Sequence, residues 1–321
     1  MSERIFLALT PERSEFYRWS ADRLVQALIE ATGQGSRLGG VYLGRVVNLE
    51  KSLNAAFVDI GLGKPGLLHL KKHGAGISEG DVVTVQVKRD SREEKGVKLS
   101  QSIAATENVE SLKAGKVPPA CLVPPPALWQ GALAAVEPAA IDSILCDRRV
   151  DVERVAAWCR RLDPKLASRV AFAPRRDWEP GDGAIAEAVT AALEPEVPLP
   201  GGGQLLVEPV RTLTAIDVNS AAATGQQGIE QTALGVNIEA AREIPRQLAL
   251  RNLGGIVVVD FIDMENRNRR DQVVDALRQA VAIDPAIEWV GNMSRLGLVE
   301  LLRKRTGPSL AEMWAMRPRE A

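Results

Sequence analysis

Two aspartates that each follow an apolar run are the residues of this sequence best suited to chemistry. Asp217 ends the run TLTAID, and Asp260 ends the run GGIVVVD, whose β-branched residues indicate a strand buried on both faces. A buried carboxylate is unfavourable unless a hydrogen bond, a cation or a metal compensates it. The chemistry of this pair therefore depends on what else lies at the ends of the two predicted strands.

The spacing of the two aspartates predicts that they share one edge of a sheet. They are 43 residues apart with one predicted helix between them, which is the length of a strand–helix–strand crossover. In open α/β sheets, ligands bind outside the carboxyl ends of the strands. Two adjacent carboxylates repel each other, so one takes up a proton unless a cation lies between them. Oxygen ligands without His or Cys favour a hard cation, most often Mg²⁺, with Mn²⁺ also possible.

Strand periodicity separates the polar neighbours of this pair. Asn219 has the same parity as Asp217, so we expect it to face the same site if the strand stays extended that far. Asp263 has the opposite parity to Asp260, so we expect it to have a structural or supporting role. The alternative is that both aspartates cap helices or pair with arginines of the intervening region, which are Arg242, Arg246 and Arg251.

Composition restricts the function classes that remain open. Hydrophobic residues make up 45% and charged residues 25% of the 321 positions, and the net charge is −1, so any nucleic-acid binding must depend on local basic patches. Three widely spaced cysteines form no CxxC, and His69 and His73 have no third ligand nearby, so we expect no zinc site. There is no signal-peptide pattern and no apolar run of roughly 20 residues, so we expect a cytoplasmic protein without a membrane span.

The pattern of apolar runs predicts an α/β chain, α+β overall, built from several parts. Residues 128–200 have the pattern of a small α/β unit, and from residue 204 strands alternate with helices, which predicts a mixed sheet covered by helices. The Pro-rich residues 104–127 are predicted to be a boundary without regular structure. Five short β-rich runs predict a small closed barrel of the OB type, and they are GGVYLGRVVNL, NAAFVDIGL, KPGLLHL, DVVTVQVKRD and GVKLSQSI.

Two details of the C-terminal part are also predicted. Pro245 lies inside the long helical pattern of residues 229–250, where it should kink the helix or cap a shorter one. The strand-like IEWVGNM should lead into a last helix, with Arg295 of MSRLG on the strand-to-helix turn and Arg303, Lys304 and Arg305 at the end of that helix. Arg295 is our best single candidate for holding a phosphate.

Several segments resemble the ribonuclease E/G family of bacterial endoribonucleases. They are AIDVNSAAATG, IEQTALGVNIEAAREIPRQLALRNLGGIVVVDFIDM and MSRLGLVELLRKR, together with GGVYLGRVVNLEKSLNAAFVDIGLGKPGLLHL, which is similar to that family's S1 motif. The resemblance implies an OB-fold (S1) RNA-binding domain at residues 38–104, inserted in a ribonuclease-H-like unit formed by 1–37 and 119–203. Residues 105–118 would be a linker, and residues 204–321 a deoxyribonuclease-I-like catalytic domain.

The resemblance also implies a function and its residues. It implies a Mg²⁺-dependent endoribonuclease that cuts single-stranded RNA and leaves 5′-phosphate and 3′-hydroxyl ends. Asp217 and Asp260 would bind the metal, and Asn219 would assist them. An alternative is an RNA-binding protein or adaptor in RNA decay or ribosome maturation that has lost cleavage.

The implied RNA contacts lie on the OB surface, which binds single strands by stacking bases on aromatic side chains in a positive groove. Phe57, Lys64 and His69 are the candidates. The alternative for Phe57 is a place in the barrel core, since parity cannot place it in its two-sided apolar run. Leu67 stands where relatives often have a second aromatic residue, which should weaken stacking.

Two features of the family are not found in these 321 residues. The segment that recognises the 5′-monophosphate of RNA, with its Arg-Thr motif, has no match, and residues 104–127 occupy its place. The cysteine-containing zinc link that follows the catalytic unit is not present either. We therefore expect that a homo-oligomer, if one forms, is not linked by zinc.

Overall fold

A computed structural model of the protein describes residues 3–31, 36–70, 76–90, 96–103, 109–179, 181–220, 228–282 and 284–316. The chain divides into two compact units. The first combines residues 1–32 with 132–321, and the second consists of residues 33–131. The second unit is thus inserted in the chain of the first. No helix in the described ranges is both long and apolar enough to cross a membrane.

The first unit begins with three antiparallel strands. They are β1 (Glu3–Leu9), β2 (Arg13–Ser20) and β3 (Arg23–Ala31). The loop between β2 and β3 consists of Ala21 and Asp22, which both have positive φ, as tight two-residue hairpins require. The pattern of β1 was readable in the sequence, whereas β3 occupies the stretch RLVQALIEA, whose pattern leaves its structure open.

The second unit contains the barrel, and all five predicted strands are confirmed. They are β4 (Val41–Glu50), β5 (Ala55–Asp59), β6 (Gly66–His69), β7 (Val82–Arg89) and β8 (Lys98–Ser100). The barrel closes because β4 pairs with both β5 and β7, while β8 pairs with β6 and β7. Its interior is filled by apolar residues that alternate with outward-facing ones, such as Val58, Leu68 and Val85.

The Pro-rich region contains regular structure, so the prediction of a boundary without any is wrong. After α1 (Val109–Leu112), β9 (Ala120–Val123) pairs antiparallel with β4, and α2 (Leu128–Ala134) follows. The prolines stand on either side of β9 instead of inside it, at Pro118–Pro119 and residues 124–126. Proline excludes strand pairing only at its own position, because only there is the N–H missing.

The chain then returns to the first sheet. The elements are β10 (Ile141–Cys146), α3 (Arg149–Leu162), α4 (Pro164–Ala167), β11 (Val170–Phe172) and α5 (Asp182–Ala191). β10 joins β1 in parallel, and β11 joins β10 in parallel, so the sheet order is β11-β10-β1-β2-β3.

The second sheet of this unit has six strands in the order β12-β13-β14-β15-β17-β16. Its elements are β12 (Glu196–Pro198), β13 (Gln204–Pro209), β14 (Leu213–Asn219), α6 (Ile229–Leu250), β15 (Gly255–Asp260), α7 (Arg267–Val281), β16 (Ile287–Val290), β17 (Leu298–Arg303) and α8 (Leu310–Ala315). Helix α6 is continuous across the buried Pro245, so the alternative of a shorter helix is wrong.

The prediction of a last helix after IEWVGNM is also wrong for residues 298–303, because these residues form the strand β17. This strand lies between β15 and β16 and is antiparallel to both. Its residues alternate between the core and solvent, with Val299 and Leu301 buried and Glu300 exposed. Arg295 consequently lies on a strand-to-strand turn. Arg303 ends the strand at the far side of the sheet, where it pairs with Asp284, so it is not at the end of a helix.

Helices α6 and α7 cover one face of this sheet. The core between them includes Ile216, Val259, Leu301, Ala240 and Val273. We call the opposite face the open face, because its side chains are half-buried or exposed, among them Ala215, Val258, Glu300 and Leu302. The prediction that the strand GGIVVVD is buried on both faces is therefore wrong, since Ile256 on this face of β15 is 52% exposed.

Candidate active site

The two aspartates lie side by side on the open face. Strands β14 and β15 are parallel neighbours, and Asp217 and Asp260 are Cα partners at their carboxyl ends. The preceding residues, Ile216 and Val259, are buried in the core against the helices. Because side chains alternate between the faces of a strand, both carboxylates project to the open face. The prediction that the two strands are neighbours is confirmed.

A groove runs along the open face beside this pair. Its volume is about 310 Å³, and the two carboxylates lie in its lining. The other lining residues are mostly apolar, namely Leu206, Glu208, Ala215, Ile216, Val258 and Leu298. The carboxylates thus stand at one end of a shallow surface that could accommodate part of a chain-like ligand.

Asn219 lies beside Asp217, as its parity predicts. Its Nδ2 donates a hydrogen bond to Asp217 Oδ2 at 2.5 Å. This bond fixes the orientation of the Asp217 carboxylate and leaves its other oxygen available to a ligand.

The electrostatics of the site are those of crowded negative charge. Partial burial raises the pKa of Asp260 above its ordinary value, and the neighbouring carboxylates of Asp217 and Asp263 raise it further. A cation placed between the carboxylates would remove this repulsion.

Asp263 lies closer to the pair than strand parity indicates. A Cβ added to Gly297 would be 3.3 Å from Asp263 Oδ1 and 3.8 Å from Asp260 Oδ1, so both oxygens border the same small space. The parity argument does not reach Asp263 because β15 ends at Asp260 and the chain turns afterwards. A supporting role for Asp263 stays a prediction.

Two of the three alternative arginine partners, Arg246 and Arg251, are engaged elsewhere. Arg246 donates to Glu243 Oε1, and Arg251 donates to Gln247 Oε1. Within the part of the chain that the structure describes, neither Asp217 nor Asp260 forms an ion pair with an arginine. The pair therefore has no compensating cation among the described side chains.

The donor set fits a single hard divalent cation. Two carboxylates are the usual protein contribution to a Mg²⁺ site, which fills its remaining positions with water and substrate oxygens. Among the described residues, no group of three or more His, Cys, Asp and Glu side chains is arranged to hold a metal.

His73, considered together with His69 as a zinc ligand, lies outside the described residues.

Arg295 lies on the turn that borders the carboxylates. The turn joins β16 to β17, and Leu298, at the start of β17, is the Cα partner of Asp260. Ser294 Oγ accepts hydrogen bonds from the backbone N–H groups of Leu296 and Leu298, which holds the turn together. The Arg295 side chain is exposed on this turn, and its contact with a phosphate stays a prediction.

In the barrel unit, Phe57 faces away from the barrel interior. Its neighbours Ala56 and Val58 are fully buried, whereas Phe57 is half-buried and is not part of the barrel core. The alternative of a core phenylalanine is therefore wrong.

The Cα partners of Phe57 extend into a row across the barrel strands. Asn48 on β4 pairs with Phe57, Phe57 with Leu67, Leu67 with Lys98, and Lys98 with Arg89. We call these five residues the Phe57 row. Asn48, Lys98 and Arg89 are exposed. The row crosses all five barrel strands, so it places an aromatic ring and two cations at outward-facing positions around the closed barrel. Lys98 and Arg89 could not be assigned to the row without the strand register.

Lys64 and His69 lie near this row. Lys64 is exposed on the β5–β6 loop, and His69 is exposed at the end of β6, two residues beyond Leu67. His69 is thus on the outer surface two residues from the Cα partner of Phe57, and Lys64 is on the loop that joins their two strands. Their contact with RNA stays a prediction.

Comparisons with known proteins agree with this arrangement. The profile of the ribonuclease E/G family matches residues 71–306. Ribonuclease E of a Nostoc species is 46% identical over 130 residues, which are 40% of this chain and 19% of that protein. Ribonuclease E of Escherichia coli strain K12 is 30% identical over 376 residues, 90% of this chain and 35% of that protein. Ribonuclease G of the same strain is 36% identical over 186 residues, 57% of this chain and 38% of that protein.

The relatives are longer than this chain. The chain spans well under half of the length of each of these relatives. The alignment with the Escherichia coli ribonuclease E extends over 376 residues, more than the 321 of this chain, so that relative contains residues with no counterpart here.

Proposed function

This chain belongs to the ribonuclease E/G family, and from that premise we propose that it is an endoribonuclease that cuts single-stranded RNA with the help of a divalent metal ion, Mg²⁺ or Mn²⁺. The observation that carries the proposal is the pairing of Asp217 with Asp260 on adjacent parallel strands. Two carboxylates at the carboxyl edge of a sheet, with no ion-pair partner among the side chains that the structure describes, are suited to bind a cation and a phosphate together.

The residues of the site have separate roles in this proposal. Asp217 and Asp260 would hold the metal, and Asn219 keeps the Asp217 carboxylate oriented through its hydrogen bond. When bound, the metal lowers the pKa of a coordinated water and neutralises charge on the phosphoryl oxygens. Arg295, on the bordering turn, would bind a phosphate of the RNA. By family resemblance the products carry 5′-phosphate and 3′-hydroxyl ends.

The barrel would bind the single strand. The Phe57 row offers a ring on which a base can stack and two exposed cations, Lys98 and Arg89, that can contact phosphates. Lys64 and His69 would add contacts at one side of the row. This local basic surface makes RNA binding compatible with the net charge of −1.

The same premise gives the domains their proposed assignments. The sheet β11-β10-β1-β2-β3 would belong to a ribonuclease-H-like unit, and the sheet that carries the aspartates would belong to a deoxyribonuclease-I-like unit. The barrel would be an OB-fold S1 domain, and residues 105–118 would be a linker in the place of the family's 5′-sensing segment.

A cleavage assay on one labelled single-stranded RNA tests the proposed activity. Wild-type protein should cleave with Mg²⁺ and not with EDTA. Asp217→Asn and Asp260→Asn should each lower the rate by more than about 100-fold, beyond the roughly 10- to 100-fold loss typical of residues that only support metal ligands. Asp263→Asn should have a smaller effect.

Asp271→Asn is the matched control, because Asp271 is an exposed aspartate on α7 and its variant should cleave like the wild type. Near-wild-type cleavage by Asp217→Asn or Asp260→Asn would contradict the assignment. RNA binding without cleavage at any Mg²⁺ concentration would instead indicate a non-catalytic RNA-binding protein.

A further inference from the structure

An exposed tryptophan shares the open face with the two aspartates. Trp289 is 52% exposed, although tryptophan is normally among the well-buried residues. It pairs with Leu302 on β17, and Leu302 pairs with Ile256 on β15. Since Ile256, Val258 and Asp260 alternate with core residues, Trp289 lies on the same face as the Asp260 carboxylate.

The indole lies over Gly291, in the direction of the aspartates. A Cβ added to Gly291 would be 2.9 Å from Cη2 and 3.5 Å from Cζ2 of Trp289, so the six-membered ring occupies the space above this glycine. The N–H of Gly291 bonds to the carbonyl of Glu300, which pairs with Val258. Measured along the strands, the ring therefore lies level with Val258, which is two residues before Asp260 on β15.

The distance from the ring to the site suits a polymer and not a mononucleotide. Two strand spacings and one pleat separate the ring from Asp260, which is roughly 12 Å at ordinary sheet dimensions. The segment that follows Trp289 is fixed, because Arg278 Nη2 donates to Asn292 Oδ1 at 2.7 Å. The glycine thus provides room for the ring, and the next residue is held in place.

We propose that Trp289 is a base-stacking subsite for the RNA strand that lies across the open face, next to the cleavage site. The proposal rests on the proposed endoribonuclease function. Stacking on an aromatic ring does not depend on the identity of the base, since every base has a π-face, so this subsite would position the strand without selecting its sequence.

The charges on this face favour a base over a phosphate as the occupant. Glu300 is exposed on this face, and Glu208 lines the groove. These carboxylates repel a phosphate, so the sugar–phosphate backbone would run on the outer side while bases turn towards the sheet. A second copy of this chain is less suited, because a stable interface covers about 800 Å² on each partner. In the described strands of this face, the large apolar residues exposed next to Trp289 are Leu302 and Ile256, and Glu300 and Glu208 border them.

The test measures binding in EDTA, so that it does not depend on cleavage. A series of RNA oligonucleotides carries one abasic position each, moved step by step away from the scissile bond, and affinity is measured by fluorescence anisotropy. Wild-type protein should lose affinity about 5- to 100-fold when the abasic site reaches the position that stacks on Trp289. Trp289→Ala should bind the intact RNA more weakly by a similar factor and should no longer respond to that abasic position.

Three further variants separate stacking from other effects. Trp289→Phe should retain part of the response, because a smaller ring still stacks. Gly291→Ala keeps the tryptophan but displaces its ring, so it should weaken binding like Trp289→Ala. Leu302→Ala, on the same face and 39% exposed, should bind like the wild type.

The outcomes discriminate clearly. An abasic response that persists unchanged in folded Trp289→Ala would overturn the proposal, as would equal losses in Trp289→Ala and Leu302→Ala. A change of oligomeric state in Trp289→Ala, with the abasic response intact, would overturn it in favour of a second copy on this face. Normal stacking by a protein that does not cleave would leave the subsite standing and contradict only the proposed activity.

Discussion

The two ends of the six-stranded sheet differ in whether their charged side chains are paired with an opposite charge. At the end where β15 begins, Arg303 is only 5% exposed, and its guanidinium donates to Asp284 Oδ2 at 2.8 Å and to the Leu253 carbonyl at 2.9 Å. At the end where β15 stops, Asp217 and Asp260 face each other without a cation among the described side chains. The buried charge at the first end is paired, and the carboxylates at the other end give an excess of negative charge.

The difference teaches how to separate structural from functional charges in one fold. A buried ion that serves the fold is stabilised by partners, because an unpaired one costs several kcal/mol. An arrangement in which like charges remain close together is destabilising on its own, and it is retained where a ligand supplies the opposite charge. The end with Asp217 and Asp260 therefore indicates a ligand, and the end with Arg303 does not.

The largest expected effect comes from breaking the paired end. Arg303→Leu should lower the free energy of unfolding by about 3–5 kcal/mol, because it leaves Asp284 buried without its partner. Urea unfolding followed by circular dichroism measures this loss. The double variant Arg303→Leu with Asp284→Leu should recover much of it, since neither charge then remains unpaired. If the single variant is as stable as the wild type, the pair does not stabilise the sheet.

The second prediction makes the same comparison between the inner and outer sides of one barrel strand. Phe57→Ala should leave the protein folded and lower its affinity for single-stranded RNA by about 1–3 kcal/mol, because a base loses its stacking partner. Val58→Ala, on the inner side, should instead lower stability by about 2–3 kcal/mol and leave the affinity of the folded protein unchanged. Anisotropy and thermal unfolding on both variants measure the two quantities.

The barrel prediction has clear contradicting results. Unfolding of Phe57→Ala, with no folded population to bind RNA, would mean that Phe57 packs structurally despite facing outward. RNA affinity that does not fall with added salt would count against the contribution of Lys98 and Arg89 in the Phe57 row.

The third prediction concerns a region that offers few groups for recognition. A phosphate sensor needs fixed donors, but residues 117–126 are rich in proline, which has no N–H, and β9 pairs with β4. We expect the protein to cut 5′-triphosphate, 5′-monophosphate and 5′-hydroxyl forms of one RNA at similar rates. Cleavage rates on the three forms of the same oligonucleotide measure this. A tenfold preference for the monophosphate, about 1.4 kcal/mol, would show that a sensor exists elsewhere.

The sequence predicts those features that depend on local periodicity. Alternation and turn residues suffice for the five barrel strands and for the neighbouring strands that carry Asp217 and Asp260, because each pattern is complete within one short run. The error at residues 298–303 has a physical cause. The run LVELLR has strong helix formers, and only its position between β15 and β16 makes it a strand.

Features that depend on register are not readable from the sequence. Phe57 follows two alanines in a run that is apolar on both sides, so its face is decided only by the pairing of β5 with β4 and β6. Lys98 and Trp289 join their surfaces through partners that are distant in the sequence. Asp263 approaches Asp260 through a turn, to which strand parity does not apply.

The smallest expected effect tests the central claim, that the unpaired carboxylates hold a cation. Without metal, Asp260→Asn should unfold at a slightly higher temperature than the wild type. The gain in the free energy of unfolding should be less than about 1 kcal/mol, since solvent screens the repulsion between carboxylates that the substitution removes. The direction of this stability change follows from the raised pKa of Asp260. Above the ordinary aspartate pKa, the ionised carboxylate destabilises the folded state, and the substitution would remove that cost. In acid the carboxylate is protonated, so the stability advantage of Asp260→Asn should vanish.

Thermal unfolding of wild type and Asp260→Asn across a Mg²⁺ titration is the most direct measurement of this claim. Mg²⁺ should raise the unfolding temperature of the wild type in a saturable way, because it binds the folded state. The same titration should leave Asp260→Asn nearly unchanged, so the order of the two stabilities should reverse at high Mg²⁺. An equal Mg²⁺ response in both proteins, or a wild type that is already the more stable without metal, would contradict the account.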